Sequence, residues 1–145
     1  MTTHDMTGRV CLVTGASDGH GRAVAEALAR AGADVVLHGR SPRKCEAAQR
    51  EIADATGRKP DLLLCDLASR QEVDRAADAY LASGRPLHVL VNNAGLVNLH
   101  RQVNGEGLEQ TFAVNYLAMF QLTLRLLERL KESVPARVVN ISSDS

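Results

Sequence analysis

With 17 basic and 17 acidic side chains among 145 residues, the chain is neutral overall and 45% hydrophobic, a balance that suits one globular domain with a buried core. No run of like charges is present, which excludes nucleic acid or an anionic membrane surface as a partner held by charge. No apolar stretch approaches the ~20 residues of a membrane span and the first residues lack a signal-peptide core, so a cytoplasmic location is expected.

Strand and helix signals then alternate along the chain. Arg9 to Val13 is an apolar run of strand length, followed by the glycine-rich stretch Thr14-Gly-Ala-Ser-Asp-Gly-His-Gly21 and a helical pattern from Arg22 to Arg30. Gly32 caps that helix and leads into a second strand, Ala33 to His38. Pro42 starts a helix to about Thr56, which Gly57 and Pro60 end. Asp61 to Cys65 is a third strand. Ser69 caps a helix from about Arg70 to Leu81, and Leu87 to Val91 is a fourth strand. Asn98 to Glu106 is polar and irregular. A long helix is expected from about Gly107 to Glu132, then a fifth strand from Ala136 to Ile141. Near-continuous apolar strands between helices predict a parallel sheet covered on both faces. The fold class is therefore α/β, a Rossmann-type doubly wound sheet of about five strands, truncated after the fifth. Cys11, Cys45 and Cys65 are odd in number and lack metal-ligand spacing, so buried free thiols in a reducing compartment are expected, and no metal.

A strand, a glycine-rich turn and a helix in that order make a phosphate-binding crossover. Glycines let the backbone approach a pyrophosphate, and the helix start offers unpaired N–H groups and partial positive charge. Further chemistry stands at the other strand ends, where open α/β sheets bind ligands. After the second strand, Gly39 supplies no carboxylate for a ribose 2′-hydroxyl. Arg40, with Arg43 and Lys44 close in sequence, suits a 2′-phosphate instead, which favours NADP over NAD. Cys65-Asp66-Leu67 follows the third strand, Asn92-Asn93-Ala94-Gly95 the fourth, and Ser142-Ser143 the fifth.

With these pieces in order, the chain resembles the short-chain dehydrogenase/reductase family over nearly all of its length. The matching motifs are TGASDGHG, Asp66-Leu67, NNAG, Asn115 within a helix, and RVVNISS. One glycine motif alone is weak evidence, whereas this concordant series is specific. The segment from Asn104 to Ser133 is most similar to the retinol-dehydrogenase-like branch, whose members often act on lipophilic carbonyls or alcohols.

The resemblance implies roles position by position. Gly15, Ser17, Asp18, Gly19, His20 and Gly21 would hold the pyrophosphate and adjacent ribose. Asp66 would bond the adenine amine with Leu67 beside the ring. Asn93, Ala94 and Gly95 would line the ribose path, while Asn92 fastens loops. Ser143 aligns with the catalytic serine that steadies the substrate oxygen, and Asn115 with the asparagine that orders a proton-relay water. Two residues depart from the family pattern: His20 replaces an aliphatic residue between the last two glycines, and Asp18 stands where some NADP-using relatives carry a base.

The family's proton donor is a tyrosine in a Tyr-x-x-x-Lys pattern beyond the serine. Tyr80 and Tyr116 have no lysine four residues later, so both are expected to be structural. Residues 1–145 are thus expected to form an incomplete NAD(P)-binding domain, the N-terminal part of an oxidoreductase. Hydride would pass between NADP(H) and a small carbonyl or alcohol substrate, with the acid/base pair outside these residues. A second chain or a homo-oligomer would complete the domain. The alternative reading is a non-catalytic dinucleotide-binding module or pseudoenzyme subunit.

Overall fold

The computed structural model describes residues 5–96 and 98–142. Five parallel strands form one sheet: β1 (Val10–Val13), β2 (Asp34–Gly39), β3 (Asp61–Leu64), β4 (Val89–Asn92) and β5 (Arg137–Asn140). Their spatial order is β3-β2-β1-β4-β5, with β1 hydrogen-bonded to both β2 and β4. The chain thus builds outward in one direction from β1, then returns to its other side. That reversal opens a crevice at the carboxyl ends of β1 and β4.

Helices α1 (Gly19–Arg30), α2 (Pro42–Thr56) and α3 (Arg70–Ala82) connect the first four strands. A single-turn helix, α4 (Gln110–Phe112), a π-helical turn (Ala113–Leu117) and α5 (Ala118–Glu132) connect β4 to β5. Alternate residues of the strands feed two cores. Cys11, Val13, Val35, Leu37 and Val91 pack on one face against Ala25 and Ala29 of α1 and Ala48 and Ile52 of α2. Leu12, Val36 and Leu90 pack on the other against Val73, Ala77 and Tyr80 of α3 and Leu122, Leu126 and Leu130 of α5. On that second side, Arg125 forms ion pairs with Asp74 and Asp78, tying α5 to α3.

Local chemistry explains the element ends. Ser41 and Ser69 accept from Lys44 N and Glu72 N, capping α2 and α3. Gly57 ends α2 at φ +76°, the left-handed conformation glycine tolerates. Helix α1 differs from α2 and α3: Asp18 stands at its N-cap without a side-chain bond to the helix.

Several expectations are corrected. The first helix begins at Gly19, so Gly19, His20 and Gly21 belong to its first turn. The expected continuous helix from Gly107 to Glu132 starts only at Gln110, because Gly107 has φ +79° and Glu109 caps Phe112 N. It then loosens into the π turn, whose extra residue re-aims Asn115. The Asn98–Glu106 segment is irregular, as expected, and is held by its own hydrogen bonds. Asn104 Oδ1 accepts from Glu106 N and Leu108 N at 2.9 Å each, and Val103 bridges Glu109. The sheet is covered on both faces at β1, whereas every residue of β5 is exposed. Val138, Val139 and Ile141 are each about two-fifths exposed, and Phe112, Tyr116, Phe120 and Leu124 form an exposed stripe at helical spacing. Along it the rings of Phe112, Tyr116 and Phe120 stack. Among the described residues no helix is long and apolar enough to cross a membrane.

Candidate dinucleotide site

The crevice at the carboxyl ends of β1, β2, β3 and β4 is an open cleft of about 420 Å³. It gathers Gly15, Ser17, Asp18, Gly19, His20, Gly21, Arg40, Asp66, Leu67, Asn93, Ala94 and Gly95, every described residue of the sequence-predicted cofactor set. Its volume lies within the few hundred to a thousand cubic ångströms usual for ligand clefts.

The turn after β1 is shaped by close approach. Gly15 has φ +62°, and a Cβ there would lie 2.7 Å from Ala94 Cα. A Cβ on Gly21 would sit inside the Gly15 carbonyl oxygen and Asn93 Nδ2, closer than real Cβ atoms come. Gly19 has φ +57° and open space around its missing side chain. The turn is therefore pressed against the β4 loop on one side and bare toward the cleft on the other. Bare backbone at the start of α1, with no side chain capping it, leaves N–H groups for an anion.

Thr14 is the fastener that holds this turn, a residue that sequence reasoning missed. Its buried hydroxyl accepts from Asn93 N and Ala94 N, both at 3.0 Å, and donates to Val91 O at 3.3 Å. The readable signal was a hydroxyl residue ending an otherwise apolar run. Asn93 lines the cleft, but its amide is spent on the turn. Nδ2 donates to Thr14 O at 3.2 Å and Gly15 O at 3.3 Å, which leaves Oδ1 to accept from His20 Nδ1 at 2.8 Å. The imidazole that departs from the family pattern thus fastens the start of α1 to the β4 loop. Asn92 bonds Thr123 Oγ1 at 3.1 Å and Asn140 Oδ1 at 2.9 Å, linking β4 to β5 and α5.

His38, also missed, is the penultimate residue of β2, lies at the cleft and is buried. Gly15 N donates to its Nδ1 at 3.0 Å, so Nε2 carries the proton and donates to Cys65 O at 3.0 Å. Burial pushes its pKa down, opposed by the Cys65 carbonyl and the nearby Asp66 carboxylate.

Arg40 is exposed at the rim. Lys44 extends from α2 to 3.8 Å from Asp18, so the acid of the glycine turn is paired with a cation from the next helix. Both groups are solvated, and such a pair contributes little stability. Its effect on the cleft is to offset the negative charge beside Arg40. Asp66 Oδ1 accepts from Ala68 N at 2.9 Å, and the Asn104 loop docks beside it, with Asn104 Nδ2 donating to Ala68 O at 2.6 Å.

Asn115 lies across from the loop after β4. Its Oδ1 accepts from Leu96 N at 2.8 Å and its Nδ2 donates to Leu96 O at 2.9 Å, close to Gly95. The side chain therefore pins that loop. Ser143 lies outside the described residues. Tyr80 is buried and donates to Pro86 O at 2.7 Å, with burial pushing its pKa up to about 12. Neither Tyr80 nor Tyr116 lines the cleft. Cys11, Cys45 and Cys65 are free and buried, with thiol pKa values raised by desolvation.

Residues 9–145 match the sequence profile of the short chain dehydrogenase family. The chain belongs to that family. Mouse retinol dehydrogenase 12 is 42% identical to it over 143 residues, which span 98% of this chain and 45% of that protein. This short-chain dehydrogenase chain thus covers less than half the length of its curated relative. A Shigella flexneri short-chain dehydrogenase crystallised with NADP superposes with a TM-score of 0.83 at 32% identity, covering 98% of this chain and 62% of that one. RhlG of Pseudomonas aeruginosa, in its NADP active-site complex, gives a TM-score of 0.83 at 32% identity over 99% of this chain and 58% of that one.

Proposed function

We propose that residues 1–145 form the dinucleotide-binding domain of an NADP-dependent oxidoreductase that moves hydride between NADP(H) and a carbonyl or alcohol. The observation that carries this reading is the glycine cradle, in which a Cβ at Gly21 has no room and the uncapped start of α1 opens onto the cleft. Those residues fit a dinucleotide: the bare turn suits the pyrophosphate, Arg40 the 2′-phosphate, and Asp66 with Leu67 the adenine. Bound there, NADP(H) supplies or takes up the hydride.

The chain's own residues bind and orient. Gly15, Ser17, Asp18, Gly19, His20 and Gly21 grip the phosphates and ribose, with Asn93, Ala94 and Gly95 beside them. Asn93 and Thr14 fix the turn in a single shape, so little ordering is left to the moment of binding. Asn115 and Ser143 are proposed for the proton relay and the substrate oxygen. Similarity to retinol and polyprenol dehydrogenases supports a lipophilic substrate. Three free, buried thiols support a reducing, cytoplasmic setting. The exposed faces of β5 and the Phe112–Leu124 stripe are where a further segment or a second copy would pack.

The cofactor preference is tested at Arg40. Arg40→Ala is expected to weaken NADPH binding about 10–100-fold, the value of a charge-assisted bond, while NADH binding stays within about twofold. Equal losses for both cofactors in a calorimetric titration would show that Arg40 does not read the 2′-phosphate. The reaction is tested by NADPH consumption with a lipophilic aldehyde, using this chain together with a polypeptide that supplies the Tyr-x-x-x-Lys pair. Tight NADPH binding without turnover in that mixture would remove the oxidoreductase reading and leave a binding module.

A further inference from the structure

We propose that His38 is a positioning residue for the dinucleotide site, and that it ties the shape of the glycine turn to a neutral imidazole. The proposal rests on the NADP reading above, since it names the device that holds that same site. The Gly15 amide is the first donor of the turn, and it points at His38 Nδ1 rather than at the cleft. On the ring's far side Nε2 donates to Cys65 O, so one buried side chain spans the ends of β1, β2 and β3. Both bonds require one tautomer, with Nδ1 bare. A proton on Nδ1 would face the Gly15 N–H donor to donor and break the contact. Ala16 N also bonds His38 O at 2.8 Å, so the turn hangs on this residue through side chain and backbone together.

The charged and titratable groups on the elements around the ring are Asp18 and His20 of the turn, Arg40 on its own strand end, Lys44 and Cys45 of α2, and Cys65 and Asp66 after β3. Of these, Asp66 favours the protonated ring by its charge, and desolvation outweighs it. Acid therefore reaches the ring only below its ordinary value of 6.5. The sign follows: the turn is held above that range and released as pH falls through the lowered pKa.

Two variants beside the wild type, and two readouts, test this. NADP+ affinity is measured by calorimetry from neutral pH down to the acid limit of the native far-UV spectrum, for the wild type, His38→Asn and His38→Leu. Asparagine keeps an acceptor near the Nδ1 position that does not titrate; leucine removes it. The wild type is expected to lose about tenfold in affinity across the acid limb, whereas His38→Asn follows only the titration of the ligand's phosphate, common to all proteins. His38→Leu is expected to bind about tenfold more weakly at neutral pH. Parallel pH profiles for the wild type and His38→Asn, or unchanged affinity in a folded His38→Leu, would overturn the proposal. The second readout needs no cofactor: exchange of the Gly15 amide hydrogen, followed by NMR, is expected to be protected at neutral pH and to lose protection in acid in the wild type alone. Protection lost equally in His38→Asn would also overturn it. Failure of NADP+ to bind the wild type at any pH, with Gly15 protection behaving as described, would instead sink the NADP reading and leave the role of His38 intact.

Discussion

Gly21→Ala is expected to cost about 1–3 kcal/mol of stability and to weaken NADPH binding by ~100-fold. Its Cβ would meet the Gly15 carbonyl oxygen and Asn93 Nδ2, and the first of these is backbone, which has no rotamer to escape into. Relief requires α1 to move away from the turn, and that motion carries the N–H groups of the helix start away from the phosphate. Gly19 provides the internal comparison. A Cβ there meets nothing within 4 Å, so Gly19→Ala suffers only the strain of φ +57°. A calorimetric NADPH titration of the two variants checks the argument: Gly21→Ala binding as well as the wild type would mean that the close approach is not what shapes the site.

The second large effect lies at Thr14. Thr14→Val keeps the shape and removes the hydroxyl, which strands Ala94 N and leaves Asn93 N only its bond to Val91 O at 3.1 Å. Leaving a donor in the interior unpaired costs about 1–3 kcal/mol, so the change is expected to remove ~1–3 kcal/mol. Chemical denaturation should show the lowered midpoint, and melting should drop by about 3–10 °C for a domain of this size. Thr14→Ser retains the hydroxyl and is expected to recover most of the loss. A Thr14→Val protein as stable as the wild type would show that the hydroxyl's hydrogen bonds do not hold the turn. Because Thr14 Oγ1 joins the β1 turn to the β4 loop, Thr14→Val is also expected to weaken cofactor binding at temperatures where the protein is still folded.

The crossover from β1 through the glycine turn to α1 was legible because its causes are local. An apolar run, glycines at positive φ and an alanine-rich amphipathic helix stand next to one another in sequence. The same holds for α2, announced by Pro42 and ended by Gly57, and for α3, announced by its Ser69 cap and ended near a serine. What escaped is long-range. The π turn carries Asn115, which pairs with Leu96 across 19 residues, a contact that no helical periodicity records. His38 sits in an apolar strand, and its partners come from β1 and the end of β3. Val138 and Val139 carry the pattern of a buried strand, yet β5 pairs with β4 on one side only and stands at the sheet edge.

The site was legible as a set of residues and less so as a set of roles. Sequence order brought the described cofactor-site residues to one cleft, since each motif follows a strand of the same parallel sheet. Asn93 shows where roles blur. Its amide binds the Thr14 and Gly15 carbonyls and His20, so its visible part is to shape the turn. Asp18 shows the converse. An acid that counts against a 2′-phosphate in sequence is paired in space with Lys44.

The central claim is that this cleft takes NADP(H) in preference to NAD(H). Its most direct test is a fluorescence titration of the protein with NADPH and, separately, NADH. Saturable NADPH binding at least about tenfold tighter than NADH binding is the expected result. No saturable binding at millimolar NADPH, or a preference for NADH, would contradict it.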